Sequence, residues 1–168
     1  MTTYETRRLR CHCCGKASPQ SVLMSSNSFG SRDLDQRPPE MMRSTMASWL
    51  QECGFCGYVA ADIGTGDATV RDFVGTPAFQ ALCADPAPDP LSRRFLVRAA
   101  LDAHSGDMEE AFTHTLSAAW VADDGSRFSD ATALRLKAAA YVAGKAASLD
   151  TRLVLLDVVA ATVTDPRV

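Results

Sequence analysis

Cys11-His12-Cys13-Cys14-Gly15 and Cys53-Gly54-Phe55-Cys56-Gly57 are the two stretches on which the reading of this chain turns. Each is a C-x-x-C pair followed by glycine. In such a knuckle the first thiolate meets a metal ion, the chain turns tightly, and the second thiolate arrives on the same side. Backbone N–H groups of the turn point at sulfur, and the glycine accepts a positive φ without a Cβ clash. Two knuckles at the ends of two hairpins bring four thiolates into a tetrahedron, an arrangement that suits zinc. The expected ligands are therefore Cys11, Cys14, Cys53 and Cys56. Four thiolates leave no open position for water, so the site reads as structural rather than catalytic. His12 and Cys13 read as solvent-facing knuckle residues, with His12 a ligand only in place of Cys11. Cys83, beside Phe79 and Leu82, reads as a buried core thiol.

Around the knuckles the chain is rich in Cys, Ser, Arg and Gly, and short extended stretches surround them. Tyr4 to Arg10 leads into the first pair, Gln20 to Met24 leads away, and Ser44 to Gln51 leads into the second. Ser25-Ser26-Asn27-Ser28-Phe29-Gly30 and Arg37-Pro38-Pro39-Glu40 have loop composition. After residue 62 the texture becomes Ala-rich helix with readable starts. Asp67 caps a short helix ending near Gly75, and Pro77 opens another at the first helical position, where its missing N–H costs nothing. Asp89-Pro90 opens a helix to His104, and Asp107 with Glu110 forms a capping box for a helix to about Ala122. Helices over 129–147 and 150–163 complete two antiparallel hairpins, with Leu134, Ala138, Tyr141, Val142, Leu153, Leu156, Val159 and Val163 at helical spacing. The expected architecture is α+β: a β zinc ribbon over 1–62 and an α-helical, repeat-like hairpin domain over 63–168. Trp120, among Ala111, Ala118, Ala119 and Ala122, reads as core packing where small residues let helices approach closely.

The composition of the 168 residues, 46% hydrophobic and 22% charged, is that of a globular protein. No apolar run approaches the ~20 residues that span a bilayer. Arg7, Arg8 and Arg10 are followed by no apolar stretch of the secretory kind, which points to a cytoplasmic protein. There, six cysteines are not expected to form disulfides. Residues 1–60 hold seven Lys/Arg against five Asp/Glu, while the remainder holds ten against fifteen. Only the ribbon is mildly basic, which disfavours a nucleic-acid-binding role, since phosphate neutralisation dominates such binding.

No catalytic constellation accompanies the cysteines. Gly64-Thr65-Gly66 lacks the length and the lysine of a phosphate loop, and no G-x-S-x-G elbow is present. Asp33 with Asp35, Glu109-Glu110 and Asp123-Asp124 fit a loop, a helix start and a turn. His104 fits a helix end, and neither it nor His114 has partners at metal-ligand spacing.

Through Cys11–Gly15, the Asp33-x-Asp35-x-Arg37-Pro38 segment, Cys53-Gly54-Phe55-Cys56-Gly57-Tyr58 and the Ala118-Ala119-Trp120 helix, the chain resembles a bacterial family called domain of unknown function 2225. It lacks the proline that often follows the first cysteine of each pair there. The resemblance implies a split zinc ribbon followed by tetratricopeptide-like helices, with the four cysteines as ligands, and implies no activity. The resulting expectation is a non-enzymatic, zinc-stabilised module whose helices bind a protein partner. The alternatives are a nucleic-acid-binding ribbon using Arg7, Arg8, Arg10 and Lys16, or a rubredoxin-like iron electron carrier.

Overall fold

Two hairpins, each turned by one knuckle, are followed by five α-helices in the computed structural model, which describes residues 1–84 and 89–143. The class is α+β, as expected. β1 (Thr3–Arg10) pairs antiparallel with β2 (Ala17–Ser25), closing at Arg10 opposite Ala17. β3 (Gln51–Glu52) pairs with β4 (Val59–Ala60), Glu52 opposite Val59. The cysteine pairs thus occupy the two hairpin turns. The expected helix over 150–163 and the end of the one over 129–147 lie outside the described residues.

Ser44 to Gln51, expected as a strand, is mostly a 3₁₀ helix over Arg43–Ser48. Side-chain hydrogen bonds win over extension here. Glu40 accepts from both the N–H and the hydroxyl of Ser44. The Thr45 hydroxyl donates to the Met42 carbonyl and accepts from the Trp49 indole N–H. Short polar side chains bonding nearby backbone compete with a strand ladder in this way.

The described chain separates into two compact units. The first holds residues 1–31 and 38–84, so α1 (Ala68–Val74) and α2 (Pro77–Ala84) pack with the ribbon and not beyond the boundary expected at 62/63. Its interior gathers Leu50, Val59, Ile63, Val70, Val74 and Phe79. Asp67 caps α1 by accepting from the Val70 N–H, and the rings of Phe73 and Phe79 meet edge to face at 5.6 Å.

The second unit holds residues 32–37 and 89–143. It contains α3 (Pro90–Ser105), α4 (Met108–Asp124) and α5 (Phe128–Val142). Asp89 and Asp107 cap α3 and α4 as their sequence positions announce, and Gly106 takes φ +86° between them. α4 packs against both neighbours and is buried almost without interruption from Thr115 to Ala122. That stretch is covered on all sides, which places it in the interior of the unit.

The segment Arg32–Arg37 is a strap on these helices, although both flanking stretches belong to the first unit. Asp35 is only 5% exposed. Its Oδ2 accepts from the Trp120 indole N–H at 2.8 Å and from Arg135 Nη2 at 2.7 Å, and Arg135 also reaches Asp123 at 2.7 Å. Burial disfavours charge on Arg135, but its bonds to Asp123 and Asp35 more than offset that and raise its pKa. Arg37, buried as well, pairs with Asp124. Trp120 is therefore in the core as expected, and Asp35, expected in a loop, anchors its polar edge.

Removing one partner of a buried pair strands the other charge, at about 3 kcal/mol or more. Asp35→Ala should lower the stability of the helical transition by about that amount, and Trp120→Phe, which loses one hydrogen bond, by about 1 kcal/mol. Leu34→Ser, at an exposed neighbour, should change it by less than about 0.5 kcal/mol. Urea unfolding followed by far-ultraviolet circular dichroism measures all three, and an unchanged midpoint for Asp35→Ala would dismiss the network.

Candidate metal centre

The two knuckles have the same internal geometry. In the first, the Cys11 N–H donates to the Lys16 carbonyl and the Gly15 N–H to the Cys11 carbonyl, each at 2.9 Å. In the second, Cys53 N–H donates to Tyr58 at 2.8 Å and Gly57 N–H to Cys53 at 2.9 Å. Gly15 and Gly57 take φ +70° and +74°, the left-handed region that a Cβ disfavours. Gly57 has a second reason to be glycine: a Cβ there would stand 2.7 Å from Cys83 Sγ.

The ligand atoms of Cys11, Cys14, Cys53 and Cys56 all lie within 4.8 Å of one another, and among the described residues they form the one such group. Sulfur–sulfur separations are 3.7 Å for Cys11 to Cys56 and 3.6 Å for Cys14 to Cys53. A metal bound to sulfur at about 2.3 Å in a regular tetrahedron requires edges of about 3.8 Å. The donor set therefore fits a four-coordinate thiolate-bound ion, and all six cysteine thiols are unbridged.

The neighbours of the site are accounted for. His12 turns away from the sulfurs, its Nε2 lying 3.3 Å from the Asp67 carbonyl and 3.4 Å from Arg71 Nη2. It fastens the first knuckle to the start of α1, and Arg71 also donates to the His12 carbonyl. Cys13 remains outside the group of four. Cys83 is half-buried, not buried as expected, with Sγ 4.0 Å from the Gly57 carbonyl. With Phe79 and Gln80, whose Nε2 donates to the Cys56 carbonyl at 3.5 Å, it lays α2 along the second knuckle. The position after each cysteine pair (Gly57 above all) was the only sequence signal for this packing.

Burial pushes the Cys11 and Cys56 thiols up, against opposing backbone N–H groups. At Cys53 burial acts in the same direction, but the N–H groups of Phe55 and Cys56 and the nearby thiols prevail and lower its pKa. Cys13 is pushed up to about 12, chiefly by burial and then by the charge of Cys11. Elsewhere, His114 Nδ1 meets the buried Asp102 carboxylate at 2.8 Å, and Arg98 binds its other oxygen. Sequence spacing gave no hint of this partner twelve residues upstream. The group links α3 to α4 with both carboxylate oxygens satisfied.

Comparison of the chain with protein-family models, with curated proteins and with solved structures finds no match.

Cys53→Ser or Cys11→Ser should abolish stoichiometric metal binding, while Cys13→Ser and Cys83→Ser should retain it; elemental analysis reads the difference. Because Cys11 and Cys56 hold their protons at neutral pH, metal entry must displace them, so affinity should rise with pH and fall on acidification. Competition with a chromophoric chelator across pH 6–8 would register that slope. A chelator should also melt α1 and α2, which lean on the knuckles, and spare α3–α5. Loss of all helical signal would show a single cooperative unit.

Proposed function

We propose that this protein is a non-enzymatic interaction module in which Cys11, Cys14, Cys53 and Cys56 hold a structural zinc ion and helices α3–α5 receive a protein partner. The observation that carries the reading is the closed sulfur tetrahedron: four thiolates within 4.8 Å supply every position of a four-coordinate ion. Zinc in such a shell has no site for water or substrate, and its contribution is folding free energy. Two hairpins, one of them with two-residue strands, bury too little apolar surface to fold unaided. A reducing, cytoplasmic setting accords with six unbridged thiols, and among the described residues no helix is long and apolar enough to cross a membrane. The resemblance to the domain of unknown function 2225 family, drawn from the cysteine knuckles, belongs to the same reading.

One observation favours a nucleic-acid partner instead. Phe55 is 58% exposed at the tip of the second knuckle, with Lys16 Nζ 4.9 Å from its ring centroid, and Arg8 and Arg10 are exposed on β1. Exposed aromatic rings beside cations are how single strands are stacked and neutralised. Arg7 is engaged by Glu5, and acidic residues across the same unit offset the cations. We therefore rank this reading second.

Two measurements decide. Purified chain should contain about one colourless zinc per molecule, with four sulfurs in its X-ray absorption first shell; a red, iron-loaded chain would favour electron transfer. Affinity for random-sequence RNA should be weak at physiological salt. Tight binding that falls steeply with salt and is lost in an Arg8→Ala/Arg10→Ala variant would overturn protein binding in favour of nucleic acid.

A further inference from the structure

β1 is the open edge of its hairpin. Among the described residues it pairs with β2 alone. The other side of β2 is taken, since Ser18 is buried and Gln20 Nε2 donates to the Glu52 carbonyl at 3.1 Å. From Tyr4 to Arg8 every residue of β1 is exposed, so both faces of the strand meet solvent. An edge strand presents a row of backbone N–H and C=O groups, a template on which another strand can pair. Charges usually blunt such an edge. Here the charges have mixed signs, and their order decides which strand fits.

Thr3-Tyr4-Glu5-Thr6-Arg7-Arg8-Leu9-Arg10 complements itself in one antiparallel register. Two copies related by a two-fold axis set the residue at the axis against itself. Residues equally far on either side of it then face each other. Centred on Glu5, Arg7 or Arg8, the ladder opposes like charges, which destabilises it. Centred on Tyr4, it opposes no charges and loses most of the strand. Centred on Thr6, Glu5 of each copy faces Arg7 of the other, Tyr4 faces Arg8, and Thr3 faces Leu9. Glu5 and Arg7 share one face, where Arg7 already binds Glu5 of its own strand through Nε at 3.0 Å and Nη2 at 2.8 Å. Both bonds fall on Oε2, which leaves Oε1 for a second guanidinium. The pair of strands would carry four alternating charges in a square. On the opposite face Tyr4, 50% exposed, would be covered by a guanidinium, the favourable arrangement of a cation over a ring.

We infer that β1 is a dimerisation edge: its occupant is β1 of a second copy of this chain, paired antiparallel about Thr6 to join two hairpins into one four-stranded sheet. Self-pairing uses no residue of α3–α5 and none of the four clustered cysteines, so the inference goes beyond the interaction-module reading and does not depend on it. An edge-to-edge interface is small, which makes the dimer weak and reversible. It gives the assembly two copies of whatever surface the helices present, with the avidity that follows.

Analytical ultracentrifugation of the intact metal-loaded chain, at concentrations up to about millimolar, measures the association. The unaltered chain should show a monomer–dimer equilibrium that weakens severalfold between about 0.05 M and about 0.5 M salt. Glu5→Arg and Arg7→Glu should each weaken it at least about tenfold, because symmetry counts every altered pair twice. Both positions are exposed, so the circular dichroism spectrum should stay unchanged. Mixed in equal amounts, the two variants should associate with each other, since each then opposes arginine to glutamate at both positions. In a mixture of isotope-labelled and unlabelled chains, intermolecular nuclear Overhauser contacts should join Thr6 to Thr6 and Tyr4 to Arg8. A chain that stays monomeric throughout, or a dimer indifferent to both charge reversals and to their mixing, would overturn the proposal. So would slow amide exchange along the outer edge of β1 in dilute monomer, which would show another segment of the chain paired there.

Discussion

Four sulfur atoms must share a space less than 5 Å across, and most of the first unit is arranged so that they can. Thiolates at that separation repel one another strongly in a low-dielectric setting, and thiols there gain little from each other. A metal ion held by the four would remove the conflict and turn the least comfortable point of the unit into its strongest. The hairpin turns, the two left-handed glycines and the N–H groups aimed at sulfur all serve this convergence. His12, Arg71, Phe79 and Cys83 then use the outer surface of the knuckles as a platform for α1 and α2. Two helices that have no cysteine ligand thereby come to depend on the cysteines.

The helical unit solves a different problem. Its central helix is buried throughout from Thr115 to Ala122, so its indole N–H needs a polar partner delivered from elsewhere. The strap supplies it. Asp35 takes the Trp120 donor and the Arg135 guanidinium on one oxygen, and Arg37 meets Asp124. Placing a carboxylate in an interior is favourable only when every lone pair and every opposing charge is matched. Here an indole and a guanidinium share one oxygen, and Asp123 shares the guanidinium in turn.

How much of this could be read from the sequence depended on how local the signal was. Cys11, Cys14, Cys53 and Cys56 were legible because the chemistry fixes both residue type and spacing within a single turn. Asp67, Asp89 and Asp107 were legible for the same reason, as each caps a helix whose first residues it touches. Asp35 was not, since its partners lie 85 and 100 residues away and nothing near it distinguishes a buried anchor from a loop acid. The Asp102–His114 pair escaped because its two members come from different helices. Ser44 to Gln51, placed among the extended stretches that lead into the knuckles, is instead drawn into a 3₁₀ turn by short polar side chains that bond nearby groups. The boundary at 62/63 followed a real change in texture, but texture reports secondary structure, and packing grouped α1 and α2 with the ribbon.

The alanine-rich pattern around Trp120 meets a packing need of α4 itself. A helix covered by neighbours on two sides needs small residues wherever backbones approach, and Ala111, Ala118, Ala119 and Ala122 meet that need among the three described helices of the unit. Small positions alone therefore argue for a central helix, whether or not a second copy of the motif follows. The same residues have a cost. Ala122 and Ala133, with Leu96 and Leu134, line a hollow of about 250 Å³ among α3, α4 and α5. Close approach along most of α4 leaves a gap where the helices part, and the gap is lined by what close approach required. The hollow is in that sense a by-product of how the helices pack, with Arg127 and Asp130 among the residues that line it.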